Sequence, residues 1–194
     1  MKVLLATHNP GKIKVYAKAL NSFGIEVCGL SDLKISEDYE EIGKTFEENA
    51  KAKALFYYQL AKIPTLADDG GFEIDYLGGQ PGVKSRRWLG YSASDEEIVE
   101  HLKKIVPTIP LDQRTARFIA VSCLVKNDKE IYFAKNSEVG YVTEKVRNDY
   151  PAGFPYRSHF ISKLGDDFNN STLIVQENHH RLQNIEQLKK YLKD

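Results

Sequence analysis

Cysteine is nearly absent: Cys28 and Cys123 are the only two in 194 residues. Two thiols are too few for a disulfide framework, and they lack metal-ligand spacing. They are expected to be buried apolar residues in a reducing cytosol. Charge of a single sign is missing too, because Lys plus Arg and Asp plus Glu number 27 each and the formal net charge is zero. No global positive field exists to collect nucleic acid or anionic lipid, although a small charged ligand can still be bound locally. Long apolar runs are also lacking. The opening Met1–Ala6 stretch turns polar at Thr7, too early for a signal-peptide core, and no later run approaches a membrane span. The expectation is a cytoplasmic protein with neither membrane nor nucleic-acid partners. Repeats and low-complexity tracts are absent. What remains is ordinary: 42% hydrophobic and 28% charged residues suit one globular domain, or one domain with two lobes.

Leu66-Ala67-Asp68-Asp69-Gly70-Gly71 stands out, with adjacent carboxylates at the end of an apolar run and glycines behind them. Ile63–Ala67 reads as a short strand, and the double glycine allows a sharp turn or a close approach to a ligand. Side chains alternate along a strand, so Asp68 and Asp69 face opposite ways unless the turn begins between them. Such a pair near a phosphate substrate needs a divalent cation, and magnesium takes one or two carboxylates with phosphate oxygens and waters. A plain strand followed by an Asp-Gly turn accounts for the same residues.

Upstream, Val3–Ala6 has the unbroken apolar character of a strand buried on both faces, and Thr7-His8-Asn9-Pro10-Gly11 follows as a turn. Ile13, Tyr16, Ala17, Leu20 and Phe23 then recur at helical spacing as an apolar face. A helix N-terminus beside Lys12 has the chemistry of a phosphate cradle without the spacing of a P-loop. Glu26–Leu30 reads as a second strand, and Ser36–Glu41 as a solvated acidic loop. Thr45-Phe46-Glu47-Glu48 fits a capping box in which Glu48 reaches back to the cap amide, followed by a buried stripe of Phe46, Ala50, Tyr57, Leu60 and Ala61. Glu48 as cap or metal ligand, and Lys53 as solvated side chain or phosphate ligand, are both open.

Further on, Arg86 and Arg87 adjoin Trp88; arginine suits phosphate oxygens, and surface packing on the aromatic ring accounts for it equally. Ser94 caps another helix carrying Ile98, Leu102 and Ile105, which Pro107 ends. Thr115–Val125 and Glu130–Val142 read as long strands of a hairpin joined around Asn127-Asp128, assigned to a second lobe. The segment from Arg147 to Asn170 is loop-rich and aromatic, with Tyr150, Phe154, Tyr156, His159 and Phe160 able to stack a base or pack beneath a loop. Leu182, Ile185, Leu188 and Leu192 share one face of a closing helix, preceded by His179-His180-Arg181.

Thr7–Lys12, Thr45–Ala50, Leu66–Val83, Arg114–Phe118 and the Phe154 and His180-Arg181 region occur in series, and with them the whole chain resembles the inosine triphosphate pyrophosphatase (Ham1-like) family. The resemblance implies an α/β fold of the ITPase-like, anticodon-nuclease-like kind: two lobes around a long mixed twisted sheet with flanking helices, and an active-site cleft between the lobes. It implies a magnesium-dependent enzyme, usually a homodimer, that hydrolyses a nucleoside triphosphate to the monophosphate and pyrophosphate and clears non-canonical purine nucleotides such as ITP, dITP and XTP. Thr7, His8, Asn9 and Lys12 fall where the family grips triphosphate, and Lys53 and Arg87 on its basic positions. Glu48 falls on a metal position, and Asp69 on the catalytic carboxylate with Asp68 beside it. Phe154, Tyr156, Arg157, His180 and Arg181 fall on the base region.

This chain departs from the family pattern at Gly70, where a serine hydroxyl is usual. Phe154-Pro155-Tyr156-Arg157 replaces Phe-Gly-Tyr-Asp, so an acceptor becomes a fixed donor. His179 stands where serine is usual and Val175 replaces a lysine. Hydrolysis is expected to survive, with the preference for inosine or xanthosine triphosphate weakened or redirected. A nucleotide-binding protein without turnover is the competing reading; binding without magnesium-dependent product would distinguish it.

Overall fold

The computed structural model describes residues 1–163 and 179–192. These fall into two compact units, one formed by Met1–Asp69, Ala120–Asn136 and the C-terminal helix, the other by Gly70–Ile119 and residues 137–163.

The first unit begins with β1 (Lys2–Leu5), α1 (Pro10–Ser22) and β2 (Glu26–Gly29), and β1 pairs in parallel with β2 on one side and with β3 on the other. Val3, Leu4 and Leu5 are buried, as a central strand covered on both faces requires. The turn after β1 becomes helical because Asn9 caps it, its Oδ1 accepting the Lys12 amide at 3.1 Å, and Pro10 occupies a first-turn position where no amide is needed. Helix α2 (Phe46–Ala61) starts at Thr45, whose hydroxyl accepts the Glu48 amide at 3.1 Å. The other half of the expected box is shifted by one residue: Glu48 Oε2 accepts from the Lys44 amide at 2.7 Å, not from Thr45. The buried face of α2 also differs from expectation. It carries Asn49 and Lys53 alongside Phe46, Ala50, Ala54 and Tyr57, while Leu60 is 44% exposed.

Strand β3 runs Thr65–Ile74, straight through Asp68, Asp69 and both glycines, so the expected turn at Gly70-Gly71 is absent and the chain reverses only after the strand. Strands β5 (Thr115–Asn127) and β6 (Glu130–Val142) are joined where Asn127 Oδ1 accepts the amides of Lys129 and Glu130, each at 3.0 Å. They are not confined to a second lobe: β3, β5 and β6 each begin in one unit and end in the other. The mixed sheet has the order β2-β1-β3-β5-β6-β7, with β4 (Gln80–Gly82) antiparallel to the far half of β3 and β7 (Phe160–Ser162) antiparallel to the end of β6. This is the expected α/β arrangement of a mixed sheet with flanking helices.

Each unit has its own core. In the first, Val3, Leu5, Tyr16, Leu20, Leu66 and Leu124 meet Ile185 and Leu188 of α4 (His179–Leu188), a helix that includes His180 and Arg181 rather than following them. In the second, α3 (Asp95–Ile105), held by a complete capping box between Ser94 and Glu97, packs Ile98 and Leu102 with Phe72, Phe118, Tyr156 and Phe160. Cys28 and Cys123 are free and buried, as expected, and burial pushes the Cys123 thiol up to about 12.

Candidate active site

Because β3 stays extended, its two carboxylates divide between opposite faces. Asp68, 2% exposed, meets a ring of donors: Lys12 Nζ at 2.6 Å, the Tyr16 hydroxyl at 2.6 Å and Arg181 Nε at 3.5 Å. Burial works against its charge, yet Lys12 and Arg181 together with the hydrogen bonds hold its carboxyl well below the usual range. Asp68 is therefore a permanently ionised anchor for two cations. Arg181 in turn is held above its ordinary value by Asp68 despite complete burial, and its Nη1 lies 3.0 Å from His180 Nε2.

Asp69 lies in different surroundings. Its Oδ2 accepts from Asn49 Nδ2 at 3.0 Å, and Asn49 Oδ1 accepts the Gly43 amide at 2.7 Å. A side chain at Gly43 would press on that oxygen, since a Cβ there would stand 2.5 Å from Asn49 Oδ1. Burial, and next the charge of Glu41, push the Asp69 carboxyl up to about 6, while Lys12, Lys53 and the Asn49 bond pull it back. Lys53 is buried and ion-paired with Glu41; burial opposes its charge, but Glu41, with Asp69 and Asp68 beyond, keeps it above its ordinary value.

The N-terminal turn is organised around its own side chains, Thr7 Oγ1 accepting the Asn9 amide at 3.1 Å ahead of the Asn9 cap. His8 is exposed. The first unit thus brings together Lys12, Lys53, Asp68, Asp69, Arg181 and the start of α1. Glu48, whose metal role came from the family pattern, is one residue before Asn49, with its carboxylate on the Lys44 amide. The acid whose charge reaches Asp69 is Glu41, from the loop read as merely solvated. No periodicity or cap marks Glu41 in the sequence; only its folding back onto Lys53 does.

In the second unit, Tyr156 is buried, stacked on Phe72 at 4.9 Å and 22°, with its hydroxyl donating to the Ser85 carbonyl at 2.6 Å. Tyr156, His159 and Phe160 pack as core, while Phe154 is half-buried and Arg87 exposed. Gly70 lies just past Asp69 on β3 and is half-buried. Arg157 departs from expectation. It is 2% exposed and clasps Glu138 with two hydrogen bonds, Nη1 to Oε1 at 2.9 Å and Nη2 to Oε2 at 2.5 Å, with its guanidinium 4.0 Å over the Phe118 ring. The cation expected to confront a base instead has its charge offset by an acid that sequence reading overlooked. Val175 lies outside the described residues.

Magnesium was implied by the family pattern, and the donor set fits it: Asp69 and Glu41 are acids of which one raises the other's pKa, a repulsion that a dication relieves. Among the described residues no group of three His, Cys, Asp or Glu could hold a metal. Magnesium does not require one, because it keeps waters and takes substrate phosphates as ligands.

The chain is 37% identical over 194 residues to a dITP/XTP pyrophosphatase of Oceanobacillus iheyensis, covering 98% of both chains. It is also 37% identical over 165 residues to the dITP/XTP pyrophosphatase of Bacillus subtilis, covering 85% of this chain and 82% of that one. The solved structure of the Staphylococcus aureus Ham1 protein superposes with a TM-score of 0.81 at 30% identity, covering 99% of this chain and 98% of the other. That of a Coxiella burnetii HAM1 protein gives 0.79 at 26%, with the same coverage. The Ham1 family model matches residues 3–191, and the chain belongs to that family.

Proposed function

We propose that this protein hydrolyses nucleoside triphosphates of the dITP/XTP class to the monophosphate and pyrophosphate, with magnesium as its cofactor. The observation that carries the reading is Asp69: a buried carboxyl poised at about 6, with Lys12 and Lys53 close enough to pull on its charge. Such a group is ionised at neutral pH yet basic enough to orient a water and accept its proton. The water oxygen forms the new bond to the α-phosphorus, the bond from that phosphorus to the bridging oxygen of the β-phosphate breaks, and the electron pair leaves with pyrophosphate. Lys12, Lys53 and Arg181 supply the positive charge that stabilises the departing oxyanions. When bound, magnesium would be held by Asp69 and Glu41, or by Glu48 as the family pattern suggests, and would share the phosphate charge.

The base preference we infer is relaxed rather than inverted. Pairing with Glu138 offsets the charge of Arg157, so the pocket lacks the aspartate acceptor without presenting an uncompensated cation to a base-edge donor. Pyrophosphate release with magnesium across ITP, dITP, XTP, GTP, ATP and pyrimidine triphosphates tests both parts. Orthophosphate in place of pyrophosphate, or no turnover at all, would overturn the reaction; a strict preference for ITP and XTP would overturn the relaxed pocket.

The same reading takes the protein as a cytoplasmic homodimer. Two buried free thiols suit a reducing compartment, and no described helix is long and apolar enough to cross a membrane. Sedimentation velocity at micromolar concentration checks the dimer; a sedimentation coefficient of a 22.1 kDa particle would refute it.

A further inference from the structure

A file of hydrogen bonds runs through the interior of the first unit and ends on Asp68. The Asn136 amide donates to Asn184 Oδ1 at 2.8 Å, and Asn184 Nδ2 donates to Ser122 Oγ at 3.0 Å. Ser122 Oγ lies 2.8 Å from the Tyr16 hydroxyl, which donates to Asp68 Oδ1 at 2.6 Å. An ionised Asp68 can only accept, so the Tyr16 proton points at it and Ser122 must donate to Tyr16. Every donor from Asn184 to Tyr16 is thereby oriented in one direction, an arrangement in which each bond polarises the next.

Packing alone does not explain these residues. Ser122 sits in β5 among Ala120, Val121, Cys123 and Leu124, and all five are fully buried. An alkyl side chain there would fill the space without the cost of burying a hydroxyl. Tyr16 lies on the α1 face that also buries Leu20, where Leu or Phe would serve for packing. The two hydroxyls make sense together, as a tether to Asp68 Oδ1 while Lys12 and Arg181 meet Oδ2.

We infer that Tyr16 and Ser122 are positioning residues for the phosphate-binding cations, acting through Asp68. Asp68 holds two cations, Lys12 and Arg181, through one carboxylate oxygen, and so fixes where their positive charge lies. Where that charge is presented depends on where Asp68 holds the two side chains, and Lys12 Nζ is further fixed by the Asp68 carbonyl at 3.3 Å. Without the Tyr16 bond, the carboxylate turns toward its cations and draws them inward, away from a polyphosphate. This inference rests on the proposed reaction for its substrate, but not for its test.

The probe is inorganic tripolyphosphate, titrated calorimetrically against the parent protein, Tyr16→Phe, Ser122→Ala and the double variant. Tyr16→Phe keeps the ring and is expected to weaken tripolyphosphate binding about tenfold, the scale of one hydrogen bond to a charged group. Its melting temperature should change by a few degrees at most. Ser122→Ala should weaken binding less, and the double variant no more than Tyr16→Phe alone, because both act through one oxygen. In steady state the loss should fall on KM for ITP rather than kcat. Unchanged tripolyphosphate affinity in Tyr16→Phe would reduce Tyr16 to a packing residue; should that variant not fold, unchanged affinity in Ser122→Ala would overturn the inference equally. If the variants respond as expected but no triphosphate yields pyrophosphate, the proposed reaction fails and the tether stands.

Discussion

Neighbouring carboxylates on β3 have opposite chemistry because strand pleating sends them into different surroundings. Asp68 meets Lys12 and Arg181, while Asp69 meets Asn49 and the charge of Glu41. Keeping Asp69 ionised has a cost. Its native carboxyl, at about 6, holds a proton more tightly than in the unfolded chain, so the stability it contributes is complete below about 4 and is lost as pH rises through 6. Asp69→Asn removes that loss. In metal-free buffer the variant should melt above the parent at pH 8 and show little advantage at pH 4, and its turnover should fall at least about a hundredfold. Magnesium should raise the melting temperature of the parent and much less that of the variant. An Asp69→Asn protein within a few-fold of parental activity would remove Asp69 from the catalytic role.

His159 reports in the other direction. It is fully buried, its Nδ1 lies 2.7 Å from Ser158 Oγ, and burial pushes its imidazole down to about 4. A depressed histidine stabilises the fold above its unfolded value near 6.5, and this is lost as pH falls through 4, since the unfolded chain takes the proton first. Melting temperature should drop as pH is lowered from 6.5 to 4, and the drop should be shallower in His159→Gln; parallel curves would exclude His159 as the cause.

At the scale of elements, the Arg157–Glu138 clasp joins β6 to the short helical turn Pro155–His159 that carries Tyr156. A buried pair is a weak source of net stability but costly to break, because removal of one partner strands the other's charge. Glu138→Ala should therefore cost about 3–5 kcal/mol, whereas the apolar double replacement Glu138→Leu with Arg157→Met should lie within about 1–2 kcal/mol of the parent. Chemical denaturation separates the two cases; equal losses would mean that volume, not charge, dominates. The aromatic stack around it, Phe72 on Tyr156 and Phe118 edge-on to Phe160, shows why the segment looked like a base-stacking loop. Its composition is that of a stacking surface, but the Tyr156 and Phe160 rings are spent on the core of the second unit.

The element readings that held were those written in local physics. Apolar runs located β1, β5 and β6, Ser94 marked where α3 begins, and the Thr45 hydroxyl took its cap bond. Those that failed depended on partners far along the chain. Asp-Asp-Gly-Gly looked like a turn because glycine and aspartate favour turns, but β4 pairs with Phe72–Ile74 and keeps the strand extended past them. Leu60 looked buried by spacing, yet the inner face of α2 is turned toward Asp69 by Asn49 and Lys53.

Across the whole molecule, the zero formal charge and equal numbers of acids and bases conceal a strong local separation. Lys12, Lys53 and Arg181 collect around Asp68 and Asp69 within β3, and the acids that pair with them, Asp68 and Glu41, come from two other segments. By itself the sequence determined the α/β class, the starts of the helices capped by Thr45 and Ser94, and the burial of both thiols, and it singled out Lys12, Asp68 and Asp69 as candidates, because each follows from local propensity or from motifs kept at fixed spacing. The tertiary structure alone decided that Asp68 anchors cations while Asp69 is poised, that Glu41 reaches the site, and that Arg157 is withheld by Glu138. Those outcomes are electrostatic, and a charge in a buried site takes its character from whichever distant groups the fold places within a few ångströms of it.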